Sequence, residues 1–144
     1  SRRMLSHARS RITCADRVVY LHRPAYPLPF PDETFDVVSC LEALEFMPSP
    51  DAALAEMVRV LRPGGLMLIT NRVGSGVRWL PGRTWTHEDV YQRHKTLGMR
   101  HISIRTFLVD YEWVNSVKAG SFSGPGRAND PAVLALLEEL ADIV

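Results

Sequence analysis

Cysteine is scarce, with two residues in a chain of 144. Cys14 sits in a polar link and Cys40 at the end of an apolar run. That pair fits neither a disulfide scaffold nor a zinc-binding spacing, so a reduced, cytoplasmic setting is expected. Charge of one sign is also lacking. A formal net charge of +1 provides no global footprint for nucleic acid or an anionic membrane. Arg2, Arg3, Arg9, Arg11, Arg59 and Arg62 are scattered rather than gathered into a block. No apolar stretch approaches the roughly 20 residues of a membrane span. No secretory leader pattern is visible, and Ser1 opens directly into a helical pattern, so the sequence reads as part of something longer. Internal repeats are absent. What remains is 46% hydrophobic and 23% charged, ordinary for one globular domain.

The apolar spacing then orders the elements. Met4, Leu5, Ala8 and Ile12 recur at helical spacing within residues 1–11, with arginine on the other face. Arg17 to His22 (RVVYLH) is β-branched and aromatic and reads as a strand. Pro24, Pro27, Pro29 and Pro31 then forbid regular structure and stiffen the loop. Phe35 to Cys40 (FDVVSC) reads as a strand covered on both faces. Ser49-Pro50-Asp51 starts a helix, with Ser49 as N-cap, that buries Ala53, Leu54, Met57, Val58 and Leu61. Its Asp51, Glu56 and Arg59 are expected to stay wet. Pro63-Gly64-Gly65 stops it, and Leu66 to Thr70 (LMLIT) reads as a second fully buried strand.

Asn71 to Trp85 is a long connection with Trp79 and Trp85, either a lid or a staple. Thr86-His87-Glu88-Asp89 caps a helix ending near Gly98. His101 to Phe107 and Glu112 to Lys118 form the two arms of a hairpin, with Asp110 and Tyr111 near the bend. Residues 119–130 read as a flexible linker, and Asp130-Pro131 opens a last helix to Val144. The whole is an α/β pattern with a mostly parallel sheet and a C-terminal antiparallel hairpin.

Three segments carry a resemblance: SxxMLxxAR at the start, ADRVVYLHRPAYPLPFPDETFDVV, and LEALEFMPSPDAALAEMVRVLRPGGLMLIT. Together they resemble the later part of class I S-adenosylmethionine-dependent methyltransferases of the type 11 kind, up to about Lys118. PFPDETFD and VLRPGG are specific as a pair. The resemblance implies a partial Rossmann-like sheet in which residues 1–118 form the domain, with S-adenosyl-L-methionine as cofactor and a small-molecule methyl acceptor as partner. The family's glycine-rich turn and the acid that holds the ribose hydroxyls precede Ser1 in this alignment, so this chain alone is expected to bind the cofactor poorly. The family's strand order, 3-2-1-4-5-7-6, implies that RVVYLH has lost both neighbours and is detached. It also implies a sheet built from FDVVSC, LMLIT and the hairpin, with Phe35 to Cys40 as an exposed edge.

Site residues follow from the same resemblance. Pro24 stands where a carboxylate commonly accepts from the adenine amino group. Adenine is therefore left to main-chain groups of Ala25 and Tyr26 and contact with Leu28. Cys40, Leu41 and Glu42 match positions at the cofactor's methionine end, at the carboxyl end of a parallel strand where open α/β sheets bind ligands. Glu45 and Phe46, with Asn71 and Arg72, match the acceptor side. Glu42 and Glu45 share a face if their loop is helical, and read either as a general-base pair or as a solvated or capping pair. Cys40 reads as a packing or cofactor contact rather than a nucleophile. His22, His87, His94 and His101 match no metal-ligand spacing and read as ordinary histidines. Two functions compete: a methyltransferase fragment, or a non-catalytic binding module on the same scaffold. A dinucleotide-dependent oxidoreductase is a third reading, against which the terminal hairpin argues.

Overall fold

A computed structural model describes residues 1–12, 18–74, 84–107, 109–121 and 131–135. Its elements are α1 (Arg2–Ser10), β1 (Phe35–Cys40), a 3₁₀ turn (Leu44–Phe46), α2 (Pro50–Val60), β2 (Leu61–Arg72), α3 (His87–Thr96), β3 (Met99–Phe107) and β4 (Tyr111–Lys118). Residues 131–135 are helical as well. The strands form one sheet in the order β1-β2-β4-β3. β1 and β2 run parallel, and β4 is antiparallel to both β2 and β3. This is the sheet expected from FDVVSC, LMLIT and a terminal hairpin. Val18 to His22 belongs to no strand. The β-branched composition of that segment favours a strand only where a neighbour completes its hydrogen bonds, and none of the described residues does so.

One face of the sheet carries the core. Cys40, Met67, Ile69 and Val114 point from the strands to Ala53, Leu54, Met57 and Val58 of α2 and Val90 of α3. Period-2 alternation sends the intervening residues to the other face. There Val37 is 57% exposed and its register partner Leu66 is 42% exposed. FDVVSC and LMLIT are therefore not covered on both faces as their composition suggests. Continuous apolar runs mark strands made for two helical layers, and α2 and α3 supply one.

β2 starts at Leu61, five residues earlier than the apolar run suggests. Phe35 pairs with Leu61 but Val37 pairs with Leu66, so Pro63-Gly64-Gly65 is a bulge inside a continuous strand. Gly64 has φ +73. A Cβ on Gly65 would lie 2.7 Å from Leu61 Cδ1 and 2.8 Å from the Arg62 carbonyl oxygen, so only glycine fits. The freed α2 carbonyls are met from across the sheet, where Lys118 Nζ donates to the carbonyls of Val58 (2.9 Å) and Leu61 (2.6 Å).

At the other end of α2, the Ser49 carbonyl accepts from the Ala53 N–H at 3.1 Å. The Ser49 side chain makes no capping hydrogen bond, contrary to expectation. Glu56 and Arg59 are not wet either. Arg59 donates to the Leu28 and Phe30 carbonyls (3.0 and 2.8 Å), to Asp32 Oδ1 (2.8 Å) and to both oxygens of Glu56. Glu56 Oε2 in turn accepts from the Leu28 N–H at 2.7 Å. The guanidinium fork thus clamps the proline loop onto α2. Local periodicity places these residues on the wet side of a helix, and it carries no information about a loop that returns to cover them.

α3 begins as its sequence predicts. Thr86 Oγ1 accepts from the Asp89 N–H at 3.1 Å, and Asp89 Oδ2 accepts from the Thr86 N–H at 3.1 Å. The predicted linker falls mostly, and the last helix partly, outside the described residues. So do Cys14, Trp79 and Arg17.

Candidate active site

Parallel pairing brings the carboxyl ends of β1 and β2 to one rim of the sheet. Antiparallel pairing then sets the first residues of β4 beside the last of β2, with Asn71 opposite Glu112 and Arg72 opposite Tyr111. The 3₁₀ turn after β1 and the N-terminus of α3 close the same rim. A narrow cleft of about 10 Å³, room for about one water molecule, lies there, lined by Leu44, Glu45, Pro50, Thr70, Asn71, Arg72 and Trp85.

Glu45 is the unusual member. It is only 5% exposed, and its Oε1 accepts from the Tyr111 hydroxyl at 3.3 Å, while Oε2 is buried without a hydrogen-bond partner. Such an oxygen costs stability, on the order of 1–3 kcal/mol, unless something donates to it. Burial, and then the carboxylate of Glu45, push the Tyr111 phenol above its ordinary value, so it stays a donor at neutral pH. The Arg72 guanidinium lies 5.8 Å from the centre of the Tyr111 ring.

Glu42 does not share a face with Glu45. It precedes the 3₁₀ turn with φ +50 and is exposed, whereas Glu45 lies in the turn and faces inward. The Glu42 N–H donates to Thr70 Oγ1 at 2.6 Å, which ties the two strand ends together. Leu41 is exposed beside it, and so is Phe46, which is not among the cleft residues. Cys40 is buried, and desolvation followed by the nearby Glu45 charge raises its thiol to about 11. A neutral thiol is a poor nucleophile, in keeping with a packing role.

Asn71 and Arg72 both line the cleft. The Asn71 amide donates to the Trp85 carbonyl and to Glu112 Oε2, each at 3.0 Å. Trp85 is half-buried against the core, and the Arg93 guanidinium lies 4.7 Å from its ring centre. Of the lid and staple readings, Trp85 fits the staple. Pro24 is exposed, while Ala25 and Tyr26 pack against the core cluster that includes Cys40 and Leu44. Among the described residues, no cluster of three or more His, Cys, Asp or Glu could hold a metal ion. No described helix is long and apolar enough to cross a membrane.

Sequence reasoning missed Thr70, Tyr111, Glu112 and His87 as parts of this rim. Each lies far along the chain from Glu45; strand pairing joins the first three, and the N-terminus of α3 brings His87 to Glu112. The one available signal was Tyr111 near the bend of the hairpin.

The comparisons agree with this architecture. A family model described as "Methyltransferase domain" matches residues 1–69. The methyltransferase GfsG of Streptomyces halstedii is 31% identical over 143 residues, covering 97% of this chain and 51% of that protein. The ubiquinone/menaquinone biosynthesis C-methyltransferase UbiE of Saccharophagus degradans is 47% identical over 55 residues, covering 38% of this chain and 22% of its own. Among solved structures, the methyltransferase in complex with the Trm112 activator of Haloferax volcanii superposes with a TM-score of 0.73 at 18% identity. It covers 86% of this chain and 71% of that one. The chain thus spans about half the length of GfsG. In sheet order and in these matches the chain is similar to class I S-adenosylmethionine-dependent methyltransferases.

Proposed function

We propose that this chain supplies the acceptor-facing side of a cytoplasmic enzyme that transfers a methyl group from S-adenosyl-L-methionine to a small molecule. The observation that carries the reading is the buried Glu45 carboxylate, with an unpartnered Oε2, on a residue that lines a cleft at the carboxyl ends of parallel strands. An acceptor that donates a hydrogen bond to Glu45 satisfies it; an analogue without the donor leaves it unpaired and is rejected. Leu44, Pro50 and Trp85 give the cleft apolar walls.

The residues present fit the methionine end of the cofactor. The exposed strand-end segment Leu41-Glu42 offers a carboxylate and main-chain groups to a cationic amino group. The bound cofactor supplies a methyl on a sulfonium with a neutral leaving group, so alignment of acceptor and methyl accounts for much of the rate. The residues of this chain contribute that alignment: Glu45 and Tyr111 by hydrogen bonding, Arg72 and Asn71 by closing the cleft.

A second reading has its own observation. Pro24 is exposed and offers adenine neither a side-chain acceptor nor an N–H. That favours a non-catalytic module that retained the scaffold. Isothermal titration of the full protein with S-adenosylhomocysteine separates the two. Binding heat at micromolar protein is expected; silence would favour the binding module.

A further inference from the structure

The far end of the hairpin carries a cleft of a different kind. The eight residues of β4 run from Tyr111 at the acceptor rim to Lys118, about 23 Å away at roughly 3.3 Å per residue. Lys118 pairs with Met99, the first residue of β3. Between β3 and α3 an open cleft of about 590 Å³ lies there, in the size range of small-molecule sites. Tyr91 and Lys95 of α3 and Arg100, His101 and Ile102 of β3 line it. A regular strand sends successive side chains to opposite faces, yet three consecutive residues of β3 reach this one cleft. A bulge is the reason. Arg100 pairs with Val117 and Ser103 with Asn115, so His101 and Ile102 together stand opposite Ser116. His101 takes φ +51 there, a left-handed conformation that a residue with a Cβ adopts at a cost. The three basic groups share the cleft with no carboxylate in its lining. Among the described residues, no hydrogen bond or ion pair engages the side chains of Lys95, Arg100 and His101. The acids of α3 are committed elsewhere, Asp89 to Thr86 and Glu88 to Gln92.

We propose that this cleft binds a small organic dianion, its charge held by Lys95 and Arg100 with His101 as a further donor, and its apolar part against Tyr91 and Ile102. Lysine and arginine each carry one charge, so a ligand with two negative charges balances them. A guanidinium fork takes the oxygens of a phosphate or a carboxylate in pairs. Tyr91 is 38% exposed, which leaves its ring open to an apolar group. The competing occupant is an acidic strand of a partner, since β3 is an edge of the sheet among the described residues. The bulge interrupts that edge at the cleft itself, which favours the small molecule. The site stands at the opposite end of the sheet from the acceptor rim and does not depend on methyl transfer.

Isothermal titration of the full protein tests it. Phenyl phosphate and phthalate place two negative charges on a ring, as a phosphate and as two carboxylates; inorganic phosphate lacks the ring and phenol the charge. At least one of the two ring dianions is expected to bind, inorganic phosphate at least about threefold more weakly, and phenol not at all. Arg100→Gln and Lys95→Gln should each weaken the dianion about tenfold. Arg105→Gln removes an exposed cation farther along the same strand and should change its affinity by less than about twofold. His101→Gly suits the positive φ, so it should melt no lower than the unsubstituted protein while binding the dianion more weakly. The heat with S-adenosylhomocysteine should be the same in every variant, so failure of the methyl-transfer reading leaves this one standing. No heat with either ring dianion, or equal losses in Arg100→Gln and Arg105→Gln, overturns the site. Inorganic phosphate that binds as tightly as the ring dianions overturns the apolar half of the ligand. Hexaglutamate that binds more tightly than either overturns the small molecule in favour of a partner strand.

Discussion

His94 shows what one residue does when periodicity hides it. It stands in a charged helix and reads as ordinary, yet it is fully buried on the inner face of α3. Its Nδ1–H donates to the Val90 carbonyl at 2.8 Å, and Nε2 is buried with no partner. Desolvation holds the imidazole below its ordinary value of 6.5. The unfolded chain therefore takes up a proton before the folded one does. Stability from this residue is complete above about pH 6.5 and is lost as the pH falls toward the depressed folded value. Thermal melting followed from about pH 7 to about pH 5 should show a falling Tm, and His94→Leu should flatten that part of the slope. An unchanged slope in the variant would remove His94 from the account.

At the scale of elements, the Glu56–Arg59 pair decides where the proline loop sits. Four prolines within eight residues stiffen that segment, which lowers the entropy lost when it docks. The docking itself comes from one guanidinium. Arg59→Ala strips the Leu28 and Phe30 carbonyls of a donor and leaves Glu56 half-buried without its cation, with the Leu28 N–H still donating to it. Urea denaturation should show a loss of about 2–3 kcal/mol. Arg59→Lys should recover part of it, since an ammonium cannot span both carbonyls and both carboxylates. The hydrogen bonds from Arg59, helped by the Leu28 N–H, hold the Glu56 carboxyl down at about 2 from an ordinary 4.5. Its contribution is complete above the ordinary value and is lost only as the pH falls through the depressed one. That window is more acidic than the one set by His94, so the two are separable in a single pH series.

For the whole molecule, among the described residues, the sheet ends at β1, which pairs there with β2. Val37 and Leu66 stand side by side on the face away from α2 and α3. An unpaired edge beside an apolar patch invites association. Val37→Lys should keep this 144-residue chain monomeric at concentrations where the unsubstituted chain self-associates. Sedimentation velocity over a concentration series checks this, and equal association in both forms would place the contact elsewhere.

The legible part of this protein is local. Turn chemistry, caps and apolar runs named every strand of the sheet, and the order PFPDETFD, strand, helix, VLRPGG, strand pointed to the family. The α3 capping box follows from Thr86 and Asp89 alone, because its atoms lie within one turn. What stayed hidden depends on chain segments that meet in space. Val18 to His22 have strand composition but pair with no strand among the described residues. Glu56 and Arg59 are wet by periodicity and half-buried by a returning loop. Glu45 becomes a buried, half-satisfied carboxylate only because β4 places Tyr111 beside it, 66 residues along the chain. Sequence by itself determined the helices α2 and α3 and the centres of the four strands, since those choices rest on backbone propensity and near-neighbour hydrogen bonds. Tertiary structure alone decided which side chains share the rim, since burial and long-range pairing set both their geometry and their charge.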